Sequence, residues 1–238
     1  MPKFFTDRNN ISETNLKIVG EDVSHIKNVL RMKPGNTITV CDGSGTDYTA
    51  TISSINSKEV FAEINDKKLC DAEPEISVTL FQALPKQGKM EQIIQKCTEL
   101  GINEIVPIYT SRCVVKPTDK RERWQKVAES AAKQCGRGII PQVFETVSFD
   151  KALEMISSFQ KKIMMYECEE KTSLHGLIDS KIDNIAILVG PEGGFDITEV
   201  TKAQNNGIIT VTLGKRILRT ETAAAAILPI IMYEQNEI

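Results

Sequence analysis

The stretch Ile185-Ala186-Ile187-Leu188-Val189-Gly190-Pro191-Glu192-Gly193-Gly194-Phe195 joins a β-branched apolar run directly to a glycine-bearing loop. The pattern recurs at Ile208-Ile209-Thr210-Val211-Thr212, followed by Leu213-Gly214-Lys215-Arg216-Ile217-Leu218-Arg219-Thr220-Glu221-Thr222 and a run of alanines. Between them, residues 196–206 predict a helix: Asp196 caps it, Glu199 stands three residues on and Gly207 ends it. The result is a strand–loop–helix–strand–loop–helix unit. Parallel strands need such crossovers, and open α/β sheets bind ligands at the carboxyl ends of their strands. Both loops fall there, so a small-molecule site between them is expected.

The usual phosphate motifs do not fit. Gly190, Gly193 and Gly194 are not spaced as Gly-x-Gly-x-x-Gly, and neither loop ends in Gly-Lys-Ser/Thr. Either loop alone is also readable as a tight turn whose glycines supply positive φ. The ordered pair, each at a strand end, favours a site.

The strings LVGPEGGF and LGKRILRTETA resemble the ribosomal small-subunit methyltransferase E family of the SPOUT superfamily. KMEQIIQKCTELGINEIVPI and ERWQKVAESAAKQCGR upstream match it too, as do Lys3-Phe4-Phe5 and HIKNVLRMKPGNTITVCDGSG near the start, so the resemblance covers nearly the whole chain. Lys3 departs from the arginine expected there but keeps the cation. The resemblance implies an α/β protein: an N-terminal PUA-like RNA-binding β-barrel over residues 1–72, then a SPOUT methyltransferase domain over residues 73–238 with a C-terminal trefoil knot. It also implies S-adenosylmethionine as methyl donor, a homodimer, and methylation of N3 of one uridine in 16S ribosomal RNA, free or in the small subunit. Two other readings stand beside this one: a SPOUT ribose 2′-O-methyltransferase, and a non-catalytic RNA-binding assembly factor.

Composition bounds the rest. At 238 residues and 41% hydrophobic, the chain suffices for one large core or two smaller ones. No apolar run approaches the roughly twenty residues of a membrane span, the longest, residues 223–232, being broken by Pro229. The N-terminus lacks an apolar signal core, so a cytoplasmic protein is expected. Six scattered cysteines without a Cys-x-x-Cys pair read as free, mostly buried thiols, and two histidines without ligand spacing predict no metal site.

Net charge is −3, but it is unevenly spread. Residues 112–137 carry eight Lys or Arg against three Asp or Glu, whereas residues 145–199 carry five against eleven. An acidic half does not stop a basic face from engaging phosphates, because exposed charges are screened within about 10 Å at moderate salt.

The first part reads as β-rich, with alternating runs at residues 37–41, 48–55 and 60–64 and a short helix at 25–31 closed by Pro34-Gly35. Given the resemblance, Arg8, His25 and Arg31 are candidates for RNA contact there, or ordinary surface residues. Residues 69–74 are the expected domain boundary, followed by a strand at 76–80. A helix is predicted from about Gln87 to Leu100, with Met90, Ile93, Ile94, Cys97 and Leu100 as its buried stripe. On its other face Lys89 and Lys96 are either solvated or near RNA. A second helix, residues 119–135, sets an apolar side containing Trp124 against a basic side of Arg123, Lys126, Lys133 and Arg137. Such a stripe suits phosphate binding, or is a plain amphipathic face.

For the cofactor, the resemblance points to Val189, Gly190, Glu192 and Gly194 on one side and Leu213, Gly214, Ile217, Leu218 and Thr220 on the other. Tyr166 and Glu167 form a possible third wall. Arg219 is the expected charge stabiliser for a uracil losing its N3 proton, with Arg216, paired to Glu192, as second candidate. Glu221 orients Arg219, accepts a proton, or is a favourable first-turn helix acid behind a Thr220 cap.

Overall fold

The computed structural model describes residues 3–86, 88–116, 120–178 and 181–238. The expected helix starts at Gln87 and Asp119 lie outside them. The chain divides into two compact units: Met1–Glu73 with Ala132–Ile140, and Pro74–Ala131 with Pro141–Ile238.

The first unit contains β1 (Lys3–Phe5), β2 (Asn15–Val19), α1 (Glu21–Ser24), β3 (Thr37–Cys41), β4 (Thr46–Ile55) and β5 (Glu59–Leu69). The strands form one sheet in the order β1-β3-β4-β5-β2. Alternate residues point inward, so Leu16, Ile18, Ile38, Val40, Ala50, Ile52, Val60 and Ala62 share one core. Register shifts between Thr49 and Ala50 and between Ile52 and Ser54 curl β4, as bulges do. The Thr6 hydroxyl donates to the Lys17 carbonyl at 2.7 Å, reaching from the end of β1 to β2, the other edge strand.

Two expectations are corrected here. β5 runs on to Leu69, well past residue 64, because Asp66, Lys67 and Lys68 continue the ladder with both faces wet, which hides the alternation. The helix expected at 25–31 begins earlier, at Glu21, and continues as a π-helical turn over His25–Val29. It stops at Arg31, whose φ of +50° is left-handed, before Pro34 is reached.

Lys3 acquires a definite role in this unit. Its ammonium lies 2.8 Å from Asp47, donates to the Gly136 carbonyl at 2.9 Å and reaches the Cys70 sulfur at 3.3 Å. A single buried cation thereby fastens β1 to β4, to the end of β5 and to the 132–140 segment.

The second unit is a parallel α/β sheet. Its elements are β6 (Ser77–Ala83), α2 (Lys89–Glu99), β7 (Glu104–Tyr109), α3 (Arg121–Cys135, of which the residues from Ala132 on belong to the first unit), β8 (Gln142–Val143), β9 (Val147–Ser148), α4 (Phe149–Ile156), β10 (Lys161–Met165), β11 (Asn184–Val189), α5 (Ile197–Asn205), β12 (Ile209–Val211) and α6 (Thr220–Glu234). The order is β12-β10-β11-β6-β7-β8, with β9 beside β7, and every pairing is parallel. β6 and β11 are buried along nearly their whole length, as expected for strands covered on both faces. α5 carries the expected capping box, Asp196 accepting from the Thr198 amide and Glu199 from the Asp196 amide, both at 3.0 Å.

Pro229 interrupts the apolar run but not α6. The helix runs through it, packed on α2, so tertiary contacts outweigh the lost hydrogen bond. Among the described residues no helix is long and apolar enough to cross a membrane.

Candidate active site

Because the sheet is parallel, the loops after β10, β11 and β12 emerge at one edge. β10 lies between the strands that carry the two glycine loops, which is why its own loop joins them. Together they enclose a cavity of about 1050 Å³. Val189, Gly190, Glu192 and Gly194 line it from one side, and Leu213, Gly214, Ile217, Leu218, Arg219 and Thr220 from another. Tyr166, Glu167, Glu169 and Glu170 supply the third wall. The volume slightly exceeds that of ordinary small-molecule pockets, leaving room for a ligand and part of a second reactant.

The loop backbone is set by specific contacts. Gly194 has φ +67°, and a Cβ there would strike the Glu167 carboxylate. Gly214 has φ +102° and faces open space. The Thr220 hydroxyl donates to the Gly190 carbonyl at 2.6 Å and accepts from Gln82 Nε2 at 2.9 Å. This buried chain fixes the start of α6 against the first loop. Outside the cavity, Arg112 donates to the Gly193 carbonyl and pairs with Asp196, each at 3.1 Å.

At the rim, Lys89 Nζ lies 3.1 Å from both Glu192 and Glu221. Glu192 also accepts from the Lys86 amide at 3.1 Å. Glu192 and then Glu221 hold the Lys89 pKa above its ordinary value. Burial pushes Glu192 up, but its own amide, the Lys86 amide and Lys89 bring it below the usual carboxylate range. The expected Arg216–Glu192 pair is therefore replaced, because Lys89 reaches Glu192 from α2. Thr220 is not the helix cap: Arg219 occupies that position with extended backbone, and the Thr220 side chain turns inward. Arg219 is exposed, and its guanidinium has no hydrogen-bond or ion-pair partner among the described residues. Glu221 meets Lys89, not Arg219.

In the third wall, Glu169 accepts from the Thr210 hydroxyl at 2.7 Å and from the Lys171 and Thr172 amides at 3.0 and 3.1 Å. These bonds, the Thr210 hydroxyl first, depress its pKa to about 2.

The basic residues separate into groups. Arg8, His25, Arg31 and Lys126 are exposed, and His25 stands edge-on to Phe4 with ring centroids 6.2 Å apart. Arg123 is exposed but pairs with Glu91 at 3.1 Å. Lys133 is drawn to Asp22, also at 3.1 Å. Arg137 leaves the expected stripe altogether: it is 2% exposed and its guanidinium binds Glu73 at 2.7 Å. A buried, paired guanidinium is not available to a phosphate. Trp124 is buried in the second unit's core, where its place in the apolar stripe put it.

Sequence reasoning passed over Gln82, Glu169 and Glu170. For Gln82 a signal existed, since it is a lone polar residue at the carboxyl end of an apolar strand. Glu169 and Glu170 lie in an acidic stretch that has no signal of its own. Among the described residues no group of three or more His, Cys, Asp or Glu is gathered to hold a metal.

Comparison with known proteins agrees with this geometry. An RNA methyltransferase domain model matches residues 72–232, and an RNA methyltransferase PUA domain model matches residues 18–65. The chain is 36% identical over 228 residues to the ribosomal RNA small subunit methyltransferase E of Bacillus subtilis, covering 91% of this chain and 89% of that protein. The Mesomycoplasma hyopneumoniae protein of the same name is 34% identical, covering 96% and 97%. A crystal structure of the Neisseria gonorrhoeae ribosomal RNA small subunit methyltransferase E bound to S-adenosyl methionine superposes with a TM-score of 0.90 at 33% identity, over 98% and 97% of the two chains. Family models for both parts of the chain, and relatives of one name along nearly its whole length, place the chain in the ribosomal RNA small subunit methyltransferase E family.

Proposed function

We propose that this protein transfers the methyl group of S-adenosylmethionine to N3 of a uridine in 16S ribosomal RNA, free or in the small subunit, in the cytoplasm. The observation that carries the reading is the cavity between the three loops, with the unpartnered guanidinium of Arg219 at its wall. The residues suit this donor. Gly194 and Gly214 leave backbone bare for close approach, Leu213, Ile217 and Leu218 offer apolar cover for an adenine, and the loop amides and carbonyls can read its edge.

When bound, the donor supplies an electrophilic methyl on a positively charged sulfur and leaves as a neutral thioether. The chain orients the uracil so that N3 approaches in line with the carbon–sulfur bond. As N3 gives up its proton, Arg219 stabilises the negative charge spreading onto the uracil oxygens. Glu221, 3.1 Å from Lys89, or water at the cavity mouth takes that proton.

In this reading residues 1–72 form the RNA-recognition module and residues 73–238 the methyltransferase domain. Arg8, His25 and Arg31 in the first and Arg123 and Lys126 in the second face the RNA. The active form is a homodimer. The C-terminal chain forms a trefoil knot: β12 lies outside β10, yet α6 packs on α2 and β11, so residues 212–219 recross the end of β10 beside its loop. The Thr212 amide bonded to the Thr172 carbonyl at 2.9 Å supports that crossing.

The test is mass spectrometry of nucleosides from 16S RNA of cells lacking the protein, before and after it is restored. Loss and return of N3-methyluridine is expected. Loss of a ribose-methylated nucleoside instead would reassign the acceptor.

A further inference from the structure

Lys89 has one ammonium serving two carboxylates from two different parts of the chain. Glu192 belongs to the loop after β11 and Glu221 to the first turn of α6, while Lys89 itself opens α2. Both distances are 3.1 Å, so the two carboxylates lie within roughly twice that of each other and repel without the cation between them. Lys89 is 24% exposed, and the trio carries a net charge of −1, which is a poor site for a phosphate.

Deeper in, the Gln82–Thr220–Gly190 chain joins the same loop to the same helix start through neutral hydrogen bonds. The loop is held at its base by this buried neutral tie, at Gly193 by Arg112, and at Glu192 by the Lys86 amide and the Lys89 ammonium. Of these groups only Lys89 comes from α2, and it alone also reaches Glu221, while Glu192 lines the cavity.

We propose that Lys89 is a positioning residue that holds the Gly190–Gly194 loop closed over the methyl donor by neutralising Glu192 and Glu221 together. It is not an RNA contact. The inference rests on the proposed donor site, and it has a signature that neither an RNA contact nor a general structural role shares. Replacing Lys89 by methionine removes the attraction and also leaves two facing carboxylates. Removing one of those carboxylates in addition should give back part of what was lost.

The experiment titrates the full-length protein with S-adenosylmethionine by calorimetry and with 16S RNA over a salt series. Lys89→Met should weaken donor binding about five- to tenfold, with RNA affinity and its salt slope unchanged. Lys89→Arg should restore most of the donor affinity. The Lys89→Met/Glu192→Gln double variant should bind the donor more tightly than Lys89→Met alone. A reduced salt slope for RNA, unchanged donor affinity in Lys89→Met, or a double variant worse than the single one would each overturn the proposal. If the parent protein itself does not bind S-adenosylmethionine, the reading of the cavity fails, which is a different outcome from a parent that binds and a variant that does so equally well.

Discussion

Arg219 and Gly194 show how much rests on single positions. Arg219 is exposed at the helix start and its guanidinium has no partner among the described residues, so its charge is available to whatever enters the cavity. Its interaction should be stronger with the uracil anion than with neutral uracil, and its loss should therefore appear in turnover. Arg219→Ala is expected to bind donor and RNA within a few-fold of the parent while methyl transfer falls about a hundredfold, read by single-turnover rates with both ligands saturating. A near-normal rate would move the role to Arg216. Gly194 is constrained differently, by a left-handed φ and by the Glu167 carboxylate standing where a Cβ would lie. Gly194→Val should weaken donor binding strongly, because the branch both strains the loop and displaces Glu167. Gly214→Val meets open space, so its effect should come from φ strain and from intrusion on the ligand alone. Calorimetry on folded variants separates the two, and equal, undiminished affinities would place the donor elsewhere.

At the scale of elements, the loop after β10 and the exposed side of α3 each make a prediction. Glu169 pins its loop to β12 through Thr210 and closes the loop on itself through the Lys171 and Thr172 amides, with a folded pKa of about 2 against about 4.3 for an unfolded glutamate. A depressed carboxylate stabilises the fold above its unfolded pKa. That contribution falls as pH drops from about 4.3 towards 2 and is gone below, where both states are protonated. The melting temperature of the parent should therefore fall more steeply across this window than that of Glu169→Gln, as followed by circular dichroism; parallel curves would show that the carboxylate is not linked to folding. On α3, Arg123 and Lys126 are exposed, but Lys133 is held by Asp22 and Arg137, just past the helix end, by Glu73. Changing Arg123 and Lys126 to glutamine should lower RNA affinity and reduce its salt slope by at most about two, since each phosphate contact releases roughly one counterion. Donor affinity should not move, and an unaltered RNA salt slope would leave both as solvated residues.

At the scale of the whole molecule, Arg137 shows what chain-local reasoning misses. Its buried pair with Glu73, which also accepts from the Gly138 and Ile139 amides at 2.7 and 2.9 Å, lies within the first unit. Arg137→Met leaves a carboxylate buried without its cation and should destabilise the protein by about 3–5 kcal/mol in urea denaturation. Retained stability with weakened RNA binding would restore Arg137 to the RNA surface. Local chemistry was legible in advance. The β11 and β12 runs, the Asp196–Glu199 capping box and the apolar stripes of α2 and α3 each follow from a period or a motif within about fifteen residues. The glycine loops are legible for the same reason, since a strand end and a bare backbone are written consecutively. Partner choice was not legible, because it is made between residues distant in sequence. Lys89 with Glu192 and Glu221, Gln82 with Thr220, Lys3 with Asp47 and Arg137 with Glu73 pair only once strand order has brought their elements together. The sequence by itself determined the strand–loop–helix unit around the two glycine loops and the buried stripes of α2 and α3, through periodicity and capping. Only the tertiary structure decided which charges are buried, paired or left free at the cavity, because Coulomb attraction and desolvation act through space and not along the chain.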